Sequence, residues 1–267
     1  MKMVVFVNGE RTATNKTTLK ELQISLFASE EVVTILDGYQ TDEDCRLKEN
    51  MEIIFMKKGV FPSKKEWEHM LYARNSKDVQ KKISKARVAI IGLGGLGSHI
   101  AIELARCGIG ELHIVDYDVV EPSNLNRQAY RMSHLGIPKV EALEQEIKQV
   151  NPFVKVTAER KKIDETNIEQ VLQRDMIICE AVDNPKTKAM IVNEVLTIYP
   201  EKWLVAASGM AGYGKSNEIK TKQITGHFYL CGDGISDAGA GNSLMAPRVG
   251  ICAGHQANKI LEIIIEQ

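Results

Sequence analysis

Val88-Ala-Ile-Ile-Gly-Leu-Gly-Gly-Leu-Gly-Ser98 reads as a buried strand, a glycine turn and the start of a helix. Glycines 92, 94 and 97 fit G-x-G-x-x-G, a loop that lets phosphates approach backbone N–H groups at a helix N-terminus. Taken alone, such a loop signals a dinucleotide fold. Two following segments, Asp116-Tyr-Asp118 and Ser123-Asn-Leu-Asn-Arg-Gln128, shift the reading. A dehydrogenase needs one acidic residue after its second strand, for the ribose. It has no evident use for an Asn, an Arg and a Gln just beyond, whereas a protein that grips a triphosphate does.

Working outward, strands and helices alternate. Strands are expected at 87–91, 111–115, 153–159, 175–181 and 203–207, with helices at 97–107, 138–149, 165–172 and 186–198 between them. That alternation predicts an α/β fold: a Rossmann-like, mostly parallel sheet with helices on both faces. Asn217–Leu230 holds two short antiparallel strands, Gly232–Asn242 is a Gly/Asp/Ser-rich loop, and Ala246–Glu266 is a largely apolar helix.

Residues 1–57 form a separate unit. Met3–Val7 alternates into Asn8-Gly9, a two-residue hairpin signal, and a second strand runs to about Thr14. Leu19, Leu22 and Leu26 make a helical stripe, and Val32–Leu36 and Met51–Met56 read as strands. This ββαββ order predicts a small β-grasp, or ubiquitin-like, domain. Residues 58–66 are a linker, Lys64–Lys82 is a polar helix, and 67–267 carry the nucleotide-binding domain.

The chain has 267 residues, 44% of them hydrophobic, with a net charge of −1. No basic surplus supports nucleic-acid binding by bulk electrostatics. The apolar start is too short for a signal peptide or a membrane span, so no membrane partner and a cytoplasmic location are expected. The five cysteines (45, 107, 179, 231 and 252) never form C-x-x-C, which fits neither a disulfide framework nor a zinc knuckle.

Six segments then occur in a telling order: Gly92–Gly97, Asp116-x-Asp118, Ser123–Gln128, Gly136-Ile-Pro-Lys139, Asn151-Pro152 and Ala181-Val-Asp-Asn184. Order and spacing resemble the ThiF/MoeB branch of the ubiquitin-activating-enzyme-like superfamily over roughly residues 70–266. Residues 1–57 resemble ThiS through Val7-Asn8-Gly9-Glu10 and Thr17-Thr18-Leu19-x-x-Leu22, as in ThiF variants bearing a ThiS-like N-terminal domain. The resemblance implies an adenylyltransferase that uses ATP and Mg²⁺. Its substrate would be the C-terminal glycine of a separate ThiS-like carrier, which then takes sulfur from a donor in thiamine thiazole synthesis. It also implies a homodimer in which Arg74 reaches the ATP of the other subunit; a surface helix arginine is the alternative. Its ATP-binding set maps onto Gly92, Gly94, Gly95, Gly97, Asp116, Asp118, Ser123, Asn124, Asn126, Arg127, Gln128 and Lys139.

Physical roles stand beside that resemblance. Asp116 ends a strand where a carboxylate can accept from both ribose hydroxyls, or simply cap a turn. Adenylation builds negative charge on the departing pyrophosphate, and fixed cations there lower the barrier. Arg127 offers a planar fork and Lys139 a point charge. A lysine in the first turn of a helix gains nothing from the helix dipole, which favours function over simple solvation for Lys139. Asp183 closes the strand Met176–Val182 on the ligand edge of the sheet and suits Mg²⁺ shared with phosphates; Asp-Asn-Pro is equally a helix start. Ser208-Gly209 and the loop around 232–245 would line the carrier's tail.

Three departures matter. Relatives often hold zinc on two C-x-x-C pairs, which are missing here, so no zinc is expected; Cys231 retains only a candidate place in sulfur transfer. Glu180 replaces a small or polar residue. Gly59 continues into Val60, so the N-terminal unit has no free Gly-Gly terminus to be activated. Alternatives are an enzyme for another carrier or a small carboxylate, and an ATP-binding scaffold blocked by its fused domain.

Overall fold

A computed structural model describes residues 2–28, 31–239 and 241–267, apart from the side chains of Ala73 and Arg74. The chain divides into two compact units, one up to Lys81 and one spanning Lys82–Gln267.

In the first unit, β1 (Met3–Val7) and β2 (Glu10–Thr14) form a hairpin. Asn8 and Gly9 turn it with φ of 49° and 75°, the paired positive angles of a tight two-residue loop. The Asn8 side chain also accepts from Phe55 N at 2.8 Å and donates to Phe55 O at 3.0 Å, tying that turn to β5 (Glu52–Lys57). Helix α1 (Leu19–Phe27) starts at a Thr18/Glu21 capping box and buries Leu19 and Leu22. With β3 (Val32–Leu36) and the two-residue β4 (Tyr39–Gln40), the sheet order is β2-β1-β5-β3-β4. β1 and β5 are parallel, and the other pairs are antiparallel. This is the β-grasp arrangement: Val5, Leu22, Ile53 and Phe55, all nearly inaccessible, pack as its core.

The expected single helix over Lys64–Lys82 is two helices, α2 (Lys64–Arg74) and α3 (Lys77–Ile83). Asn75 breaks them apart in an extended conformation (φ −114°, ψ 155°), which removes it from the helical ladder.

In the second unit, β6 (Arg87–Ile91), β7 (Glu111–Asp116), β8 (Lys155–Arg160), β9 (Ile177–Glu180), β10 (Trp203–Ala207) and β12 (Phe228–Gly232) are parallel. β11 (Lys220–Thr225) is an antiparallel edge, and the full order is β11-β12-β10-β9-β6-β7-β8. Alternate side chains face opposite ways. Ala89, Ile91, Ile178, Leu204 and Ala206 pack under α6 (Ile168–Leu172) and α7 (Pro185–Ile198). α4 (Gly95–Arg106) packs with α5 (Lys139–Val150) and α8 (Ala246–Glu266) across the sheet's other face. Ile90, Ile100, Leu104, Leu143 and Ile260 are fully buried, each burial stabilising by about 1.5–3 kcal/mol relative to exposure.

The chain leaves β6 toward β7 on one side, while β9 continues toward β10 on the other. That switch point opens a crevice beyond the C-terminal ends of β6 and β9, the place where such sheets bind ligands. Among the described residues, no helix is long and apolar enough to cross a membrane.

Candidate active site

The crevice is a cavity of about 760 Å³, within the range of small-molecule sites. Its floor is the glycine turn. Gly92 has φ of 89°, and an added Cβ would lie 2.8 Å from the backbone of Ala181 and Val182. Only glycine lets β6 run so close to the end of β9. Gly97 serves packing: a Cβ there would lie 1.9 Å from Gly92 O. Gly94 and Gly95 line the cavity, and no side chain caps α4 at Gly94. The first-turn N–H groups are therefore open to an anion, with the positive end of the helix dipole behind them.

Asp116 ends β7 almost fully buried. Its Oδ2 accepts from Leu93 N at 2.7 Å and its Oδ1 from Asp118 N at 2.8 Å. One carboxylate thus fixes both the glycine turn and its own turn, while each oxygen keeps a second lone pair. Tyr130 donates from its hydroxyl to Leu93 O at 2.8 Å; burial, then the charges of Asp116 and Asp118, push its pKa far up, so it stays a donor. Lys139, only 6% exposed, places Nζ 2.9 Å from Asp118 Oδ2 and 4.0 Å from Asp116 Oδ2. Asp116, Asp118 and Asp183 all line the cleft; Asp118, then burial, Asp116 and Asp183, push the Tyr117 hydroxyl up.

Arg127 donates from Nη1 to Ser123 O at 3.1 Å and to Asn126 Oδ1 at 2.9 Å. Both acceptors are neutral, so among the described residues its charge has no ion-pair partner. Gln128 is buried in the cavity wall, and its Oε1 has no donor among the described residues. A nucleotide brings hydroxyl and amino donors that fit it.

Asp183 follows β9, exposed at the cavity wall. Asn184 performs the helix start: its Oδ1 accepts from Lys186 N at 3.0 Å and Thr187 N at 3.1 Å. The Asp183 carboxylate is therefore not committed to capping α7. Among the described residues, no group of three His, Cys, Asp or Glu could hold a metal. One carboxylate beside phosphate oxygens and water is nevertheless a donor set that Mg²⁺ accepts.

Nine of the sequence-derived residues meet at the cavity: Gly92, Gly94, Gly95, Asp116, Asp118, Arg127, Gln128, Lys139 and Asp183. Gly97, Ser123, Asn124 and Asn126 shape it from outside its wall; Asn124, for example, accepts from Glu121 N at 3.0 Å. The Arg74 side chain lies outside the described residues. Sequence reasoning missed Lys161 and Lys162, which join the wall after β8. What places them is the register of the sheet: β8 pairs with β7 in parallel with Arg160 opposite Asp116, so the residues after Arg160 follow the C-terminal edge. It also missed Lys188, whose Nζ lies 2.6 Å from Oε2 of the inaccessible Glu180.

Ser208 and Gly209 line the far side with residues 234–238. Arg248 on α8 ties these loops together. Its Nη2 donates to Asp233 Oδ2 at 2.5 Å and its Nη1 to Lys215 O at 3.0 Å. Cys231 lies behind them, inaccessible, with burial pushing its thiol up to about 11. At neutral pH it is a protonated, shielded thiol rather than a nucleophile.

The profile described as "ThiF family" matches residues 68–267, and that described as "ThiS-like ubiquitin" matches 3–59. The adenylyltransferase and sulfurtransferase UBA4 of Lodderomyces elongisporus is 34% identical over 157 residues, 58% of this chain and 34% of that protein. The molybdopterin-synthase adenylyltransferase of Haemophilus influenzae is 34% identical over 108 residues, 40% of this chain and 44% of that protein. The chain thus spans less than half the length of these relatives. The ATP complex of the E. coli tRNA N6-threonylcarbamoyladenosine dehydratase TcdA superposes with a TM-score of 0.68 at 19% identity, covering 78% of this chain and 98% of that one.

Proposed function

This chain belongs to the ThiF family, and from that premise we propose that it transfers AMP from ATP to the C-terminal glycine carboxylate of a separate ThiS-like sulfur carrier. The observation that carries the reading is the meeting of an uncapped helix N-terminus, Arg127, Lys139 and Asp183 around one switch-point cavity.

In this reading the triphosphate lies against the first turn of α4. Asp116, already fixed by Leu93 N and Asp118 N, offers its remaining lone pairs to the ribose hydroxyls. A carrier carboxylate oxygen attacks the α-phosphorus, the bond from that phosphorus to the bridging oxygen breaks, and pyrophosphate leaves with the electron pair. The negative charge that grows on pyrophosphate faces Lys139 and the unpaired Arg127 guanidinium. Asp183 would hold Mg²⁺, which supplies charge neutralisation to the phosphates. The residues orient and stabilise; no protein nucleophile is needed.

The carrier is a separate chain because the ThiS-like unit lacks a free end. After β5 the backbone passes through Gly59 into α2, so its glycine carbonyl is an amide. The ThiS-like match at 3–59 favours a thiazole-forming carrier and thus thiamine synthesis. The activities of the relatives from Lodderomyces elongisporus and Haemophilus influenzae make molybdopterin and other sulfur carriers the comparison arm. Labelled pyrophosphate exchange into ATP tests the proposal. Exchange is expected only when a carrier with a free terminal glycine is added, and its absence with every carrier refutes the reading.

A further inference from the structure

Glu180 is a charge buried where a strand end should be apolar. It is the last residue of β9, opposite Ile91 of β6, and completely inaccessible. Burial raises its pKa; Lys188 and the backbone N–H groups of Val182 and Ala207 oppose that. Oε1 accepts from Val182 N at 2.8 Å, and Oε2 accepts from Lys188 Nζ at 2.6 Å. Its own carbonyl accepts from Gln256 Nε2 at 3.1 Å. The carboxylate therefore grips the backbone immediately before Asp183, at the stretch that abuts Gly92.

Lys188 stands on the second turn of α7, its side chain 23% exposed, and lines the same cavity as Asp183. The wall already holds Arg127 without an ion pair and Lys139 shared between Asp118 and Asp116. Lys161, paired with Glu159, and Lys162, near the Tyr117 ring, also line it. A further free cation beside Asp183 would attract the triphosphate as strongly before reaction as after it. Such uniform binding slows the release of pyrophosphate and competes with a divalent ion for the phosphate oxygens.

We propose that Glu180 is a positioning residue that restrains and neutralises Lys188, so that the cleft takes its polyphosphate as the complex with a divalent cation rather than as the free anion. This rests on the ATP-binding reading above. The carboxylate does two things with one group: Oε1 holds the turn before Asp183, and Oε2 keeps Lys188, which lines the same cavity, from replacing the metal that Asp183 would hold. A Gln at 180 keeps an acceptor for Val182 N but loses the charge that holds Lys188, so the ammonium swings to the phosphates.

The test is equilibrium binding of three probes to the full-length chain: ATP with chelator, ATP with Mg²⁺, and adenosine. Wild type is expected to bind Mg·ATP better than divalent-free ATP. Glu180→Gln should bind divalent-free ATP roughly tenfold more tightly than wild type, as one released cation near a multiply charged anion implies. Adenosine affinity should stay within about twofold. Glu180→Gln with Lys188→Met should lose the gain, because the freed cation is gone. Glu180→Asp, which keeps the charge but withdraws it by one methylene, is the second variant should Glu180→Gln not fold, and it should show a smaller gain. Divalent-free ATP binding equal to wild type in the variant that folds, or a change of the same size for adenosine, overturns the proposal. Failure of wild type to bind ATP at all refutes the functional reading instead.

Discussion

Lys139→Met removes the most buried cation of the cleft with little change in volume. Nζ sits 2.9 Å from Asp118 Oδ2 and 4.0 Å from Asp116 Oδ2. At about 4 Å and an effective dielectric constant near 20, unit charges interact by about 4 kcal/mol, which bounds what one contact contributes. Removing a preorganised group that stabilises transition-state charge costs about 2.7–4 kcal/mol, or 10²–10³ in rate. The variant also leaves two carboxylates facing the triphosphate, so the loss should reach the upper part of that range. Folding should suffer far less. The Asp118 side chain is 46% exposed, and an ion pair with so wet a partner contributes about 0–1 kcal/mol. The assay is carrier-dependent pyrophosphate exchange, run beside a thermal melt. An exchange rate within threefold of wild type, in a protein that melts normally, refutes the role given to Lys139.

Gly92→Ala must place a Cβ against the Ala181–Val182 backbone at φ of 89°, so it should destabilise the second unit by about 2 kcal/mol or more, read by urea denaturation. Asn184→Ala removes the α7 cap and should cost about 1 kcal/mol in the same experiment, while Asp183→Asn should leave stability unchanged and weaken Mg²⁺-dependent exchange. Asp233 is held well below the usual carboxylate range by Ser236 N, Ile235 N and Arg248, which outweigh burial. Its contribution is present above the unfolded carboxylate pKa and lost as pH falls through the folded one. Asp233→Asn should therefore flatten the acid limb of stability below about pH 4. A thiol reagent should modify Cys45 and Cys107 in the folded protein and spare Cys179, Cys231 and Cys252 until unfolding; rapid labelling of Cys231 would reopen a role in sulfur transfer.

Local chemistry carried most of the fold. The strand cores over 87–91 and 203–207 stand where alternation with helices placed them, and the Asn8-Gly9 turn follows from the conformations those residues accept. The break at Asn75 has no Gly or Pro to mark it; its one local signal is Ser76, whose Oγ accepts from Val79 N at 3.3 Å at the start of α3. In the site, the glycine pattern located the crevice but could not divide labour among its members. Gly97 answers to Gly92 O, a contact across a strand–helix turn, while Gly94 and Gly95 face the cavity. The double use of Asp116 required knowing that Leu93 N returns to β7. The Glu180–Lys188 pair joins the end of a strand to a helix across a turn, so the periodicity of neither element by itself could bring the two together.

The fate of the α-phosphate is decisive. α-Phosphate-labelled ATP, incubated with this protein and a ThiS-like carrier ending in free glycine, should yield carrier bearing AMP at that glycine, trapped by rapid denaturation and located by mass spectrometry. Consumption of ATP with no label on any carrier terminus, or no consumption at all, would contradict the central claim.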